Sequence, residues 1–147
     1  MEAIRLFHIR HYDRRRKRFR STAFTYFGEG ISIIEKQCII TSSMTICEHI
    51  RTYYPTTASE PPIFWIFSTD ILPAPSIIVP TISTTGDHCH YDIRQLSDNQ
   101  RRNVFEKHAH NIASLRICSS DGSHQVPTVE QLHALSLEAE RLDMSDH

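Results

Sequence analysis

The sequence predicts an α+β fold: a single domain over 1–147, with a mostly antiparallel sheet of about five to seven short strands and about three helices, two of them C-terminal. Three observations carry this. Short β-branched and aromatic runs crowd the first two-thirds of the chain, at 31–34, 63–67 and 77–79. Two helix-start signatures with helical apolar periodicity close it, at Ser97 and Thr128. A length of 147 residues with 39% hydrophobic content suits one core that needs no staple.

The elements follow in order. Residues 3–10 alternate as a strand, and 19–27 are aromatic and Thr-rich, a second strand. The charged stretch between them predicts a hairpin with a basic, solvated and mobile tip. Gly28-Glu29-Gly30 marks a turn, and 31–34 and 38–40 read as short strands. A helix is expected over 44–53, capped by Ser42 or Ser43 and stopped by Pro55. The wholly apolar run at 63–67 has the composition of a central strand buried on both faces. Residues 77–79 and 88–93 read as further strands around a polar loop at 81–87. Ser97 with Gln100 and Thr128 with Gln131 form Ser/Thr-x-x-Gln capping boxes. Their helices, over 98–113 and 129–142, present Val104, Phe105, His108 and Ile112, then Val129, Leu132, Leu135, Ala139 and Leu142. Residues 119–125 read as loop and 143–147 as a frayed tail.

Charge is strongly polarised. Residues 1–20 hold eight Lys and Arg against Glu2 and Asp13, a balance of +6; the remaining chain holds eight basic and 15 acidic residues, a balance of −7. Arg14, Arg15, Arg16, Lys17, Arg18 and Arg20 crowd the hairpin, flanked by His8, His11, Tyr12 and Phe19. Clustered cations favour anionic partners, and neighbouring aromatics can stack on bases while Arg holds phosphate. The expected partner is nucleic acid, with an acidic protein surface as the alternative.

No apolar run approaches the length of a membrane span, and the charged N-terminus lacks the apolar segment of a signal peptide. Cysteines at 38, 47, 89 and 118 show no CxxC spacing. With no export signal, the expectation is reduced, buried thiols in a cytoplasmic protein.

One segment concentrates reactive side chains: Gly86-Asp87-His88-Cys89-His90-Tyr91-Asp92. On a strand, alternation places His88, His90 and Asp92 on one face and Cys89, Tyr91 and Ile93 on the other. The first set offers imidazoles and a carboxylate to a phosphate or a metal. His108 or His110 is positioned to complete it, but not both, because residues two apart on a helix diverge. No HxxxH, HExxH, GxGxxG or P-loop spacing is present, so metal and cofactor stay open. The candidate catalytic residues are therefore His88, His90, Asp92 and His108.

Arg5 or Arg10 on a first strand, followed by Ser21 and Thr22 on a second, is similar to the order of NAD-contacting residues in the ADP-ribosyltransferase superfamily. That resemblance implies an NAD-using protein. The glutamate such a protein carries on a late strand has no match here, since Glu48 falls in a predicted helix. The preferred expectation is a small accessory or effector protein that contacts nucleic acid through its Arg-rich hairpin. Any chemistry would be His-based phosphodiester hydrolysis. The alternatives are a non-catalytic module on an acidic partner or the NAD-using protein.

Overall fold

The computed structural model describes residues 1–20, 30–56, 60–109 and 111–145, and among them nine strands and four helices follow one another. Strand β1 (Glu2–Phe7) leads through a single helical turn into the hairpin of β2 (Tyr12–Asp13) and β3 (Arg18–Phe19). Next come β4 (Ile31–Glu35), α1 (Lys36–Thr41), α2 (Ile46–Tyr53), β5 (Ile63–Ser68) and β6 (Ile77–Pro80). The chain closes with β7 (His90–Arg94), α3 (Asp98–Ala109), β8 (Leu115–Cys118), β9 (His124–Gln125) and α4 (Val129–Ser145). The expected second strand beyond Arg20, and the turn at Gly28 and Glu29, lie outside the described residues.

Seven strands form one antiparallel sheet in the order β6-β7-β4-β1-β5-β8-β9. β1 is the middle strand, with Ile4 opposite Ile34 on one side and Ile66 on the other. β5 is internal, between β1 and β8, and its apolar run is explained by burial on both faces. Ile63, Trp65 and Phe67 join one core with Phe105 of α3 and Leu132 of α4, while Phe64 joins a second core with Ile39 of α1 and Ile50 of α2. The two C-terminal helices thus cover one face and the two short helices the other. Both expected capping boxes form: Ser97 Oγ accepts from the Gln100 N–H at 3.2 Å, and Thr128 Oγ1 from the Gln131 N–H at 3.1 Å.

Several local expectations are corrected. Residues 38–40 are helical; three apolar residues in a row resemble a strand, yet Ile39 is buried and Ile40 exposed. Thr45 caps α2 in place of Ser42 or Ser43, in a capping box with Glu48. Ser43 has φ 60°, a left-handed conformation an N-cap cannot use. The strand expected over 88–93 begins at His90, and α4 runs to Ser145, into the segment expected to fray.

The cysteines also differ from expectation. They are paired as Cys38–Cys89 and Cys47–Cys118, with Cα separations of 5.6 and 5.5 Å, and no free cysteine remains. Pairs 51 and 71 residues apart leave no spacing signal in the sequence. On the chain-entropy account each closure is worth about 4 kcal/mol. The bonds fasten α1 and α2 to the sheet, which helices of six and eight residues need, since neither is long enough to persist alone. No helix among the described residues is long and apolar enough to cross a membrane.

Candidate functional site

The site begins at the open end of β1. A cleft of about 530 Å³ lies on the α2 face of the sheet, within the range of small-molecule sites. Ile4, Leu6, Ile34 and Ile50 give it apolar walls. Arg5, His8, His11, Ser32, Tyr54 and Glu60 supply its polar groups. His8 and His11 stand on the turn after β1, ring centroids 6.1 Å apart and nearly perpendicular. Burial, then the charges of His8, Arg20, Arg5 and Arg10, push the His11 pKa below its ordinary value. Burial is the first cause; the surrounding cations add to it and contribute positive potential at the cleft.

The basic hairpin rises from this rim. Its base is anchored: Tyr12 and Phe19 are buried in the main core with rings 5.5 Å apart, and the Arg20 N–H donates to the His11 carbonyl at 2.6 Å. The Asp13 carboxylate accepts from the Arg15 and Arg16 N–H groups at 3.0 and 3.1 Å, shaping the turn. Those bonds hold its pKa below the usual carboxylate range. Arg14 pairs with Glu140 of α4 at 3.3 Å and Arg16 with Asp13 at 4.0 Å. Arg15, Lys17, Arg18 and Arg20 are exposed and make no ion pair among the described residues.

The four expected catalytic residues are only partly brought together. His90 and Asp92 share the cleft-side face of β7, with His90 Nε2 4.0 Å from Asp92 Oδ1. Asp92 also pairs with Arg94 at 3.6 Å. Gly30 makes room for it, since a Cβ there would sit 3.1 Å from the Asp92 Cβ. His88 precedes the strand and is exposed. Cys89 belongs to the core on the α1 and α2 side, unlike Tyr91 and Ile93, so the expected alternation starts one residue late. His108, half-buried on α3, stacks on Trp65 of the main core at 5.9 Å. His110 lies outside the described residues.

Sequence reasoning missed the partner that His90 has. Its Nε2 is hydrogen-bonded to Ser32 Oγ, across from β4. Its Nδ1 lies 2.8 Å from the Thr81 carbonyl and 2.9 Å from Thr81 Oγ1. The residue is only 8% exposed. Ser32 carries no motif; only the alternation of β4, with Ile31 and Ile33 facing one core, marks it as the polar residue of the other face.

The loop that delivers His90 is built on a second cluster the sequence did not reveal. Asp87 is fully buried. It accepts from Tyr54 Oη at 2.6 Å and from the Cys89 N–H at 2.9 Å, and its Oδ1 is 3.0 Å from Nε2 of buried His49. Burial alone would push this carboxyl up; the bonds from Tyr54 and the Cys89 amide, with the His49 imidazole 3.0 Å away, outweigh it and hold the pKa below the usual range. Burial, and then the Asp87 carboxylate, drive the Tyr54 phenol well above its ordinary value. Metal-ligand types gather here, as Cys38, His88 and Cys89 and as His49, Asp87 and Cys89. Both groups depend on sulfurs already joined in the Cys38–Cys89 disulfide, and only a thiolate ligates.

For the NAD-using reading, Arg5 lines the cleft, Arg10 pairs with Glu60 at 2.9 Å, and Ser21 and Thr22 lie outside the described residues. No family model, curated protein or solved structure matches this chain.

Proposed function

We propose that this protein binds single-stranded nucleic acid, its basic hairpin holding the phosphate backbone and its cleft receiving one nucleotide. The observation that carries the reading is continuity. The uncommitted cations Arg15, Lys17, Arg18 and Arg20 rise from the same rim that sets Arg5, His8 and His11 around an apolar-walled cleft of about 530 Å³. A nucleotide needs both parts: an apolar slot for a base and cations for its phosphate. The acidic helix α4 keeps Arg14 occupied through Glu140.

Two disulfides suit a chain that folds where thiols are oxidised. The cytoplasmic placement therefore loses the support it drew from reduced cysteines.

Anisotropy of a labelled oligonucleotide across a salt series tests the reading. The wild type should bind with a log–log salt slope that falls by about 3 when Arg15, Lys17, Arg18 and Arg20 become Gln, at roughly 0.7 for each phosphate left without its cation. Equal affinity and slope in that variant would rule the interface out. Binding to acidic peptides but not to any oligonucleotide would favour a protein partner instead.

A further inference from the structure

We propose that Ser32 and His90 form a nucleophile–base pair on the wall of the cleft, able to open a phosphodiester bond through a covalent serine phosphodiester that keeps one of the two ester groups. The choice of phosphodiester rests on the nucleic-acid reading above; the pair itself rests on geometry.

The argument begins with the tautomer of His90. A backbone carbonyl can only accept, so at 2.8 Å the Thr81 carbonyl takes a proton from Nδ1. In the neutral ring Nε2 is then a bare acceptor, and its partner is the Ser32 hydroxyl. Nucleophile, base and a third group that orients the base stand in line, as a nucleophilic serine requires. Only Ser32 of the three opens onto the cleft. His90 stands behind it, shielded from water that would otherwise compete for Nε2.

Both strands are fixed where they carry the pair. Arg5 donates from Nη1 to the Ser32 carbonyl at 3.3 Å. The loop leading to His90 is fastened by Asp87, by the Thr81 N–H bond to the His90 carbonyl at 3.1 Å, and by the Cys38–Cys89 disulfide. These bonds fix the backbone on both sides of the pair, and Ser32 and Thr81 hold the ring itself, in a geometry that catalysis needs to within fractions of an ångström.

The chemistry balances without a metal or redox partner. Ser32 Oγ bonds to phosphorus as its proton passes to His90 Nε2. The phosphorus–alkoxide bond breaks, and the Nε2 proton goes to the departing oxygen. Water then attacks the phosphorus of the serine phosphodiester, giving one proton to His90; that proton returns to Oγ as the serine leaves. The products are an alcohol and a phosphate monoester.

The test uses the full chain and a fluorophosphonate, which labels a serine activated by a base and needs neither the hairpin nor nucleic acid. The expected result is one adduct, on Ser32 by peptide mass spectrometry. It should vanish in Ser32→Ala and slow by ~100-fold or more in His90→Gln, the usual worth of a positioned base. An unlabelled wild-type Ser32, or an unchanged rate in a His90→Gln chain that keeps its melting transition, overturns the pair. Oligonucleotide incubation with acid quench should then leave a nucleotidyl adduct, joined through a serine phosphodiester, at Ser32. A labelled Ser32 with no such adduct from any oligonucleotide the protein binds would overturn the substrate class while leaving the pair intact.

Discussion

The two faces of the sheet are built for different ends. Under α3 and α4 the core is aromatic and continuous: Trp65 stacks on Phe67 at 4.6 Å, and Phe105 meets both rings edge-on. Under α1 and α2 the aliphatic core of Ile4, Ile34 and Ile50 is interrupted by buried His49, Asp87 and His90, by two disulfides and by the cleft. Burying a carboxylate and imidazoles costs free energy unless each is partnered; among the described residues, α3 and α4 bury Arg101 and Ser136 as their polar side chains. The first face supplies the stability that the second spends on positioning polar groups.

The sharpest way to break this contrast is Phe105→Ala. Phe105 is fully buried between Trp65, Phe67 and the sheet. Its loss should cost about 3–5 kcal/mol in denaturant unfolding, through transfer energy and a cavity. Fluorophosphonate labelling of Ser32 in the folded fraction should be retained. Leu135→Ala on the same face should cost less, nearer ~1–2 kcal/mol, because Leu135 is only half-buried against that core. A Leu135 effect equal to that of Phe105 would mean that α4 packs more deeply than the structure shows.

Next comes the Cys38–Cys89 bond. Replacing both cysteines by Ser should cost about 2–4 kcal/mol and, unlike Phe105→Ala, should impair the cleft as well, since Cys89 immediately precedes His90. Hydrogen exchange at the amides of 87–91 would read the loosening. Protection unchanged there would show that the bond supports α1 alone.

Tyr54→Phe should be smaller still, about 1.5–3 kcal/mol, the usual value of a hydrogen bond to a charged group. The same cluster sets a pH dependence. Asp87 titrates below its ordinary 3.8 when folded, so the unfolded chain binds its proton first. Its contribution is present above about pH 4 and is lost as pH falls through the depressed folded value. Urea midpoints measured from about pH 6 down to about pH 2 should fall more steeply for wild type than for Asp87→Asn. Parallel curves would remove Asp87 from the account.

How much of this was legible follows the same division. The aromatic face announced itself, because apolar periodicity and local capping boxes at Ser97 and Thr128 are short-range signals. The α+β class came from the same kind of information; the basic hairpin expected between strands over 3–10 and 19–27 instead closes on Tyr12, Asp13, Arg18 and Phe19, while β1 pairs with β4 and β5. The other face depends on pairings 33 to 71 residues apart: Tyr54 with Asp87, Ser32 with His90, Cys47 with Cys118. A single polar residue in an apolar strand, such as Ser32, is not distinguishable from a solvent-facing one until the sheet order places β7 beside β4. His90 and Asp92 share one face of β7 as the alternation predicts, but adjacency in sequence overstated the group. His88 stays at the surface, and His108 crosses to the aromatic side.

The smallest effect on stability should come from the feature that was plainest in the sequence. Arg15, Lys17, Arg18 and Arg20 are exposed and uncommitted, so changing all four to Gln should move the unfolding free energy by less than about 0.5 kcal/mol for each residue. Like charges crowded on a tight turn repel one another, so the sign should be slightly stabilising at low salt and vanish as salt screens them. Arg14→Gln alone should behave oppositely, a small loss at low salt, because it gives up Glu140 at 3.3 Å. The two variants therefore separate cations held for folding from cations held for a partner. If the fourfold variant were instead clearly destabilised, those side chains would be packing the hairpin against the body, and the anionic partner would lose its reason.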